Sequence, residues 1–308
     1  MGESTKSMLL TIGIPVRNEE GNIAALRLAI EEIVRRIEKK NISVEIIIND
    51  NTSEDNSLSL LENWQKDFPI IRLFHLRTPH SFQASIISMM REAKGDAFVI
   101  YQSDLQDPPE MILTFVNHWL KGHEIVAGVI ISREEGFINR IGRRFFYRSL
   151  QIVTDHNIIA GFQDFYLISE RVYKSLLALP NDGLFLRGHI TSRFGNVIQV
   201  PYSRRKRTAG KTNFNFPQKY SLALDALLLF GTRFIRILST TSFVLFIIST
   251  ILIIYFLLSY ILGFHLKVRG WASLSLLVLT LVSVVGITTG LILEYLIRIY
   301  RLLVFNRK

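Results

Sequence analysis

Residues 97–110 read AFVIYQSDLQDPPE. The first five are apolar and include β-branched and aromatic side chains, a composition that predicts a buried strand. A polar loop follows, in which Asp107 before Pro108 predicts an N-cap with proline at the first helical position. An apolar strand that runs directly into a polar loop is the repeating unit on which the predicted fold rests.

The same pattern occurs three more times in the N-terminal part of the chain, at residues 8–15 (MLLTIGIP), 44–49 (VEIIIN) and 70–76 (IIRLFHL). Helical patterns separate these strands, near residues 20–39, 55–67 and 81–94, and Gly95 is expected to cap the last of them. Strands that alternate with helices predict right-handed βαβ units and an α/β fold, in which a mostly parallel sheet is covered on both faces.

The predicted strands end in polar loops. In parallel sheets ligands bind beyond the carboxyl ends of the strands, so the loops after residues 14, 49 and 101 form the candidate site. Each loop alone is also explained by the capping and turn-forming roles of Asn, Asp and Ser. In the third loop Gln102, Asp104 and Gln106 alternate, so their side chains can point the same way. Such an oxygen-rich group suits Mg²⁺ or Mn²⁺ bridged to a diphosphate.

The C-terminal part contains two long apolar segments. Residues 237–264 and 271–293 carry no charged side chain, and a helix needs about 20 apolar residues to cross a membrane. The sequence therefore predicts a hairpin of two spans, at about 237–264 and 271–297, with two buried core helices as the alternative. Arginines outside both spans predict a multi-pass protein of the inner membrane, with its N-terminal part and both termini in the cytosol. Residues 1–20 lack a long apolar run, so no signal peptide is expected.

Charge is distributed unevenly along the 308 residues, whose formal net charge is +10. Residues 1–132 carry 13 basic and 18 acidic side chains, whereas residues 133–236 carry 17 and 7. A basic segment beside membrane spans suits anionic headgroups or one lipid phosphate. Nucleic-acid binding is the alternative, and it is not expected of a membrane-tethered α/β chain. Within this segment residues 137–153 interleave arginines with an apolar face and predict an interfacial helix, or else an ordinary surface helix.

Several classes of protein are excluded by composition and spacing. The chain has no cysteine, which excludes a disulfide scaffold and thiolate chemistry, and its 49% hydrophobic content excludes intrinsic disorder. The run Gly210-Lys211-Thr212 resembles the end of a phosphate-binding P-loop but lacks the upstream glycine. No GxGxxG motif follows the first strand, so a dinucleotide fingerprint is absent.

Six motifs carry a resemblance to a known family: IPVRNEEGNI (14–23), EIIINDNTSED (45–55), QSDLQDPPE (102–110), GFQDF (161–165), FLRG (185–188) and PYSRRKRTAGKT (201–212). In this order, and with two C-terminal spans, the chain resembles the family-2 glycosyltransferases that transfer sugars to polyprenyl phosphates. It is similar to dolichol-phosphate mannose synthases and bacterial undecaprenyl-phosphate glucosyltransferases. The resemblance implies a GT-A fold, a nucleotide-sugar donor (UDP rather than GDP), Mg²⁺ or Mn²⁺, and a polyprenyl-phosphate acceptor on the cytosolic leaflet.

The resemblance also implies roles for individual residues. The residues expected at the nucleotide-sugar are Pro15, Arg17, Glu19, Asp50, Asn51, Gln102, Ser103 and Asp104. Asp104 and Gln106 match the metal-binding positions, and Asp104 and Asp164 match the catalytic acids, with Asp164 on the acceptor side. The basic residues expected around the donor and acceptor phosphates are Arg144, Arg187, Arg204, Arg207 and Lys211.

Three positions depart from the family pattern. Gln102 stands where the first acid of the D-x-D motif is usual, which removes one anionic oxygen from the metal site. Asn51 replaces an acid in the base pocket, and Tyr166 stands where an arginine often follows the acidic turn.

These features predict a GT-A domain at residues 1–215, a juxtamembrane helix at 216–236 and the spans with a basic tail at 237–308. The predicted reaction is inverting transfer of a hexose or N-acetylhexosamine to undecaprenyl phosphate, for modification of cell-envelope glycans. Self-association through the spans is also expected. Two alternatives remain: a processive polysaccharide synthase, which would need a longer channel and a QxxRW element, and a membrane scaffold without turnover, which Gln102 and Asn51 would explain.

Overall fold

The structure is a computed structural model that describes residues 8–132, 162–179, 186–194, 196–204, 232–262 and 270–305. The chain divides into two compact units, one built around a β-sheet and the other containing the two C-terminal apolar helices. The predicted interfacial helix at 137–153 and most of the predicted juxtamembrane helix at 216–236 lie outside the described residues.

Seven strands of the described residues form one sheet. They are β1 (Met8–Val16), β2 (Ile42–Asp50), β3 (Ile71–His75), β4 (Ala97–Ile100), β5 (Ile125–Ser132), β6 (Phe162–Ser169) and β7 (Ile198–Ser203). Their order across the sheet is β3-β2-β1-β4-β6-β5-β7. Strand β6 runs antiparallel to its neighbours β4 and β5, and the other pairs are parallel. The four predicted strands and the mostly parallel sheet are confirmed.

Helices cover both faces of the sheet. They are α1 (Glu20–Glu38), α2 (Ser57–Asp67), α3 (Phe82–Glu92), α4 (Met111–Leu120), α5 (Glu170–Leu177) and α6 (Leu186–Phe194). On one face Leu10, Ile12 and Ile14 of β1 join the same buried cluster as Leu26 and Ile30 of α1. The opposite cluster contains residues of β4, β6, α3 and α5. Each such fully buried side chain stabilises the fold by about 1.5–3 kcal/mol relative to exposure.

Two local predictions were wrong. Helix α4 has Glu110 at its N-cap, not Asp107, because Pro108 first makes a turn in which the Met111 N–H donates to the Pro108 carbonyl at 3.1 Å. Helix α3 ends before Gly95 and has Ala93 at its C-cap. Gly95 is required by close packing instead, since an added Cβ would lie 2.5 Å from the Thr11 hydroxyl.

The direction of the strands defines the edge at which a ligand can bind. Since only β6 is reversed among the described strands, the carboxyl ends of β1, β2, β4 and β7 meet at one edge, and β6 begins there. The register of β4 against β6 pairs Ala97 with Ser169 and Val99 with Leu167. Continued past the end of β4, it brings Asp164 opposite Gln102.

The second unit contains two long apolar helices, α7 (Thr232–Ile261) and α8 (Trp271–Phe305). Their segments Ser239–Ser259 and Ser273–Leu296 are long and apolar enough to cross a membrane. The two helices pack closely where Gly286 of α8 faces Ser242 of α7 and Gly290 faces Ser239. A small-xxx-small face of this kind is typical of close helix packing in membranes.

Candidate active site

Backbone and side-chain hydrogen bonds join the three predicted site loops. The Asn51 N–H donates to the Val16 carbonyl at 2.8 Å, which links the loop after β2 to the end of β1. The Ser103 hydroxyl donates to the Pro15 carbonyl at 3.0 Å and links the loop after β4 to the same strand. Pro15 and Ser103 are therefore in contact, and their role at a nucleotide-sugar stays a prediction.

Each of the three loops contains one residue in the left-handed backbone region. The φ angles of Asn18, Thr52 and Leu105 are 53°, 54° and 55°. Left-handed conformations cost a residue with a side chain about 1–3 kcal/mol, and β-branched threonine tolerates them poorly. Cross-loop contacts offset this cost; the Glu54 N–H, for example, donates to Asn18 Oδ1 at 2.8 Å. The loops are thus held in a fixed shape, as pre-organised binding sites require.

The loop after β4 and the end of β7 meet at the Arg204 guanidinium. Its Nη2 donates to Gln102 Oε1 at 2.9 Å and lies 3.4 Å from Asp104 Oδ2. Its Nε lies 3.0 Å from Asp107 Oδ1. The structure therefore brings together three predicted site residues: Gln102 and Asp104 of the loop after β4, and Arg204, about a hundred positions later in the chain. It adds Asp107 to this group.

Asp107 is the buried anchor of this group. Its side chain is fully buried, and Oδ1 accepts a hydrogen bond of 2.6 Å from the Tyr202 hydroxyl. The Tyr101 hydroxyl donates to the Asp107 carbonyl at 2.8 Å. Burial raises the pKa of Asp107 above its ordinary value, although Arg204 and Tyr202 act in the opposite direction. Asp107 thus holds Arg204 in place rather than capping a helix.

Asp164 forms a second polar group at the start of β6. Its Oδ1 lies 3.4 Å from Arg187 Nε and accepts a hydrogen bond of 3.4 Å from Gln83 Nε2. Arg187 also donates through Nη1 to the Phe162 carbonyl at 3.2 Å. The Tyr166 hydroxyl is buried with no hydrogen-bond partner in the described part of the chain, and burial followed by the Asp164 charge raises the pKa of Tyr166 well above its ordinary value.

The loop after β2 contains Asp50 and Asn51, the residues predicted at the base and ribose. Asp50 is fully buried, and its Oδ2 lies 2.8 Å from His75 Nδ1 while Oδ1 has no hydrogen-bond partner among the described residues. The Asn51 amide accepts from the His80 N–H and donates to the His80 carbonyl, both at 2.8 Å. Asn51 therefore fastens the loop after β3, and its contact with a nucleotide stays a prediction.

The remaining predicted site residues divide into two sets. Arg17 is exposed at the end of β1, whereas Glu19 is buried and accepts a hydrogen bond from the Asn22 amide. Arg144, Arg207 and Lys211 lie outside the described residues. Their phosphate-binding roles stay predictions.

Sequence reasoning missed four residues of the site: His75, Gln83, Asp107 and Tyr202, of which Asp107 was predicted only as a helix cap. His75 ends β3, a parallel strand whose following loop could have been included by the rule that predicted the other three. Gln83 stands in the first turn of α3 and Tyr202 in an edge strand, and nothing in their local sequence distinguishes them. Only the tertiary contacts with Asp164 and Asp107 identify these two side chains.

The oxygen atoms near Asp104 allow a test of the predicted metal site. Among the described residues, no three His, Cys, Asp or Glu side chains are grouped as metal ligands. Mg²⁺ is often held by one or two carboxylates together with substrate phosphates. Of the two predicted metal ligands, Asp104 meets that minimum. The Gln106 backbone N–H donates to Asp104 Oδ1 at 3.2 Å, and a ligand role for the Gln106 side chain stays a prediction. The Gln102 carbonyl oxygen already accepts from Arg204. The residues fit a cation held by Asp104 and completed by phosphates.

Comparison with known families identifies the chain. Residues 11–177, from β1 through α5, match the model of the family described as glycosyl transferase family 2. The chain belongs to glycosyl transferase family 2. The predictions that it is an enzyme and a glycosyltransferase are thereby confirmed.

Relatives that match nearly the whole chain agree with this assignment. The glycosyltransferase is 29% identical over 292 residues to the uncharacterized glycosyltransferase YkcC of Bacillus subtilis strain 168, covering 94% of this chain and 89% of that protein. It is 28% identical over 294 residues to the prophage bactoprenol glucosyl transferase homolog of Escherichia coli K12, covering 95% of each. The bactoprenol glucosyl transferase of Shigella phage SfV is 27% identical, with 95% and 94% covered.

A solved structure shares the fold of the catalytic part. Glucosyl-3-phosphoglycerate synthase from Mycobacterium tuberculosis, in complex with phosphoglyceric acid, superposes with a TM-score of 0.50 at 16% identity. The match covers 72% of this chain and 78% of that one. The predicted GT-A fold is confirmed.

Proposed function

We propose that this glycosyltransferase moves a hexose or N-acetylhexosamine from a nucleoside diphosphate sugar to a polyprenyl phosphate. The observation that carries the proposal is the ion pair between Arg204 and Asp104, which joins the end of β7 to the loop after β4. It lies at the sheet edge where β6, the strand that carries Asp164, begins. A cation-lined edge beside two carboxylates suits a charged leaving group and an oriented acceptor. Two relatives of matched length are named for bactoprenol, a polyprenol, which supports a lipid acceptor.

The proposed reaction is an in-line displacement with inversion. A phosphate oxygen of the acceptor attacks the anomeric carbon while the bond from that carbon to the donor's β-phosphate oxygen breaks, and the electron pair leaves with the nucleoside diphosphate. The acceptor phosphate is already anionic at neutral pH, so no strong base is needed. Catalysis then consists of positioning the reactants and stabilising the charge of the leaving group.

The described residues divide this work between them. Arg204 neutralises the diphosphate through N–H donors that Gln102 and Asp107 orient. Asp104 would hold a divalent cation, Mg²⁺ or Mn²⁺, which would supply further neutralisation of the diphosphate. Asp164, held by Arg187 and Gln83, orients the acceptor or the sugar hydroxyls.

The base of the donor nucleotide would bind at the loop after β2. Asp50 Oδ1, which has no hydrogen-bond partner in the part of the chain that the structure describes, is a buried acceptor that suits a ring N–H donor. Uracil and guanine both carry such an N–H. UDP is the proposed carrier, and GDP is the comparison that tests it.

The two apolar helices would bring the enzyme to its lipid substrate. Segments Ser239–Ser259 of α7 and Ser273–Leu296 of α8 have the length and composition of membrane spans, and their large apolar side chains are mostly exposed. We place both termini and the catalytic domain on the cytosolic side of the inner membrane, where nucleotide sugars are found. Arg144, Arg207 and Lys211 would contact the phosphates of the acceptor or donor. Self-association through the helices stays a prediction.

One assay tests the proposal. The full-length protein in detergent is incubated with radiolabelled UDP-sugars or GDP-sugars, undecaprenyl phosphate and Mn²⁺. Labelled lipid monophosphate sugar is the expected product. Labelled polymer would instead indicate a processive synthase, and no product with any donor would indicate a scaffold without turnover.

A further inference from the structure

The side chain of Gln102 has a defined partner. Its carbonyl oxygen accepts a 2.9 Å hydrogen bond from Arg204 Nη2, on a guanidinium whose side chain is 16% exposed. The same guanidinium lies against Asp107, which the Tyr202 hydroxyl fixes in turn. Gln102, Arg204, Asp107 and Tyr202 thus form one continuous hydrogen-bonded and ionic chain from the loop after β4 to the end of β7.

This chain sets the charge next to Asp104. Asp104 and Asp107 contribute two carboxylates and Arg204 one cation, while Gln102 is neutral. A carboxylate at position 102 would be a third negative side chain in this group, which already has two carboxylates against one cation, and it would repel a phosphate. The amide avoids that repulsion and still accepts a hydrogen bond from Arg204. A guanidinium also carries five N–H donors in a fixed fork, which suits phosphate oxygens.

We infer that Gln102 is a positioning residue that, together with Asp107, holds the Arg204 guanidinium at the donor diphosphate, so that donor binding depends less on a divalent cation than it would with a carboxylate at position 102. The inference rests on the proposed function, because it takes a nucleoside diphosphate as the ligand. Position 102 then determines how the diphosphate charge is balanced. With an amide Arg204 supplies part of the neutralisation, and with a carboxylate a larger part has to come from a divalent cation.

The test is nucleotide binding without acceptor, measured by calorimetry on the full-length protein in detergent. UDP and GDP are titrated separately, each in EDTA and in Mn²⁺. For the native protein we expect the better nucleotide to lose less affinity between Mn²⁺ and EDTA than it does with Gln102→Asp, since the native site has one carboxylate fewer and keeps a charge-assisted contact from Arg204. For Gln102→Asp we expect binding at least about tenfold weaker in EDTA and restored by Mn²⁺.

Two further variants separate positioning from simple loss of a contact. Gln102→Ala removes one acceptor from Arg204, which Asp107 still holds. It should weaken nucleotide binding by a similar factor in EDTA and in Mn²⁺, so the ratio of the two affinities stays near that of the native protein. Gln199→Asp makes the same chemical change at an exposed position of β7 and leaves both affinities unchanged. Mn²⁺ alone, titrated by its electron paramagnetic resonance signal, should bind more tightly to Gln102→Asp than to the native protein.

The outcomes are distinct. If EDTA lowers the nucleotide affinity of the native protein and of Gln102→Asp by the same factor, the inference is overturned. The proposed donor class would remain intact, because both proteins would still bind the nucleotide in Mn²⁺. Failure of both nucleotides to bind in Mn²⁺ would contradict the proposed function and the inference with it. Thermal unfolding of each variant establishes that it is folded.

Discussion

Tyr202 and Asp107, 95 positions apart, are joined by a buried hydrogen bond of 2.6 Å. The bond ties the last strand of the sheet to the loop after β4, and Arg204 follows Tyr202 by two residues. The position of the guanidinium is therefore set by a contact that forms only when β7 pairs beside β5. The same hydrogen bond therefore contributes to the packing of β7 and to the position of a site residue.

Tyr202→Phe is expected to lower both the stability of the fold and the affinity for the donor. Removing the hydroxyl leaves a buried carboxylate short of a donor, which costs about 1–3 kcal/mol. Thermal unfolding in detergent should shift downward, and donor affinity should fall because Arg204 loses its support. The neighbouring exposed position offers a control, Ser203→Ala, and equal effects of the two substitutions on nucleotide affinity would contradict the role given to Tyr202.

Asp104→Ala is expected to reduce turnover strongly without unfolding the protein. Asp104 is partly exposed and contacts Arg204, so its loss removes charge organisation at the diphosphate rather than core packing. We expect a decrease of about 10²–10³ in kcat, the size seen when one preorganised electrostatic group is removed. Asp67→Asn, on the exposed end of α2, is the matched control and should retain native turnover. Near-native activity of Asp104→Ala would remove Asp104 from the mechanism.

Gln83 is expected to act through Asp164. Its amide reaches Asp164 Oδ1 from the first turn of α3, opposite Arg187. Gln83→Ala should lower kcat by about fivefold, which corresponds to about 1 kcal/mol, the net value of a typical hydrogen bond, because this bond is long at 3.4 Å. Gln83→Glu places a like charge beside Asp164 and should be worse than alanine in steady-state assays with saturating donor. If Gln83→Glu had a higher kcat than Gln83→Ala, the contact between Gln83 and Asp164 would not contribute to turnover.

Much of the catalytic fold follows from local pattern, because β-branched apolar runs such as Ile46–Ile48 fit only buried strands. The reversed direction of β6 could not be predicted, since the segment GFQDF carries no signal for antiparallel pairing. Loop composition located Gln102, Asp104 and Asp50 at one edge. It could not reveal that Asn51 is bonded to the His80 backbone, or that Asp107 is an ion-pair partner, because those roles depend on distant segments meeting.

The stability of the first two loops should depend on pH through Asp55. Partial burial acts to raise its pKa, but hydrogen bonds from Ser57 and from the Glu20 N–H outweigh burial, and the net shift is downward. A lowered pKa in the folded state means that the carboxylate stabilises the fold above its ordinary pKa of about 4 and loses that effect as pH falls through the folded value. Asp55→Asn should therefore be less stable than the native protein at neutral pH.

The difference for Asp55→Asn should shrink as the pH falls below the ordinary pKa of aspartate and through the lowered pKa of the folded protein, because the native carboxylate then becomes protonated. Thermal unfolding of both proteins across this pH range measures it. A gap that stays constant or widens on acidification would show that the carboxylate charge is not what joins the loops.

The contact between the two apolar helices predicts one further effect. A Cβ at Gly286 would lie 2.2 Å from the Ser242 hydroxyl oxygen, so any larger residue must push α7 and α8 apart. Gly286→Leu is expected to lower the thermal unfolding temperature in detergent and to reduce activity with the lipid acceptor. Nucleotide binding by the catalytic domain should change much less. Val285→Leu adds bulk at the adjacent exposed position and is the control. Equal stability of the two variants would mean that the glycine face is not a packing surface.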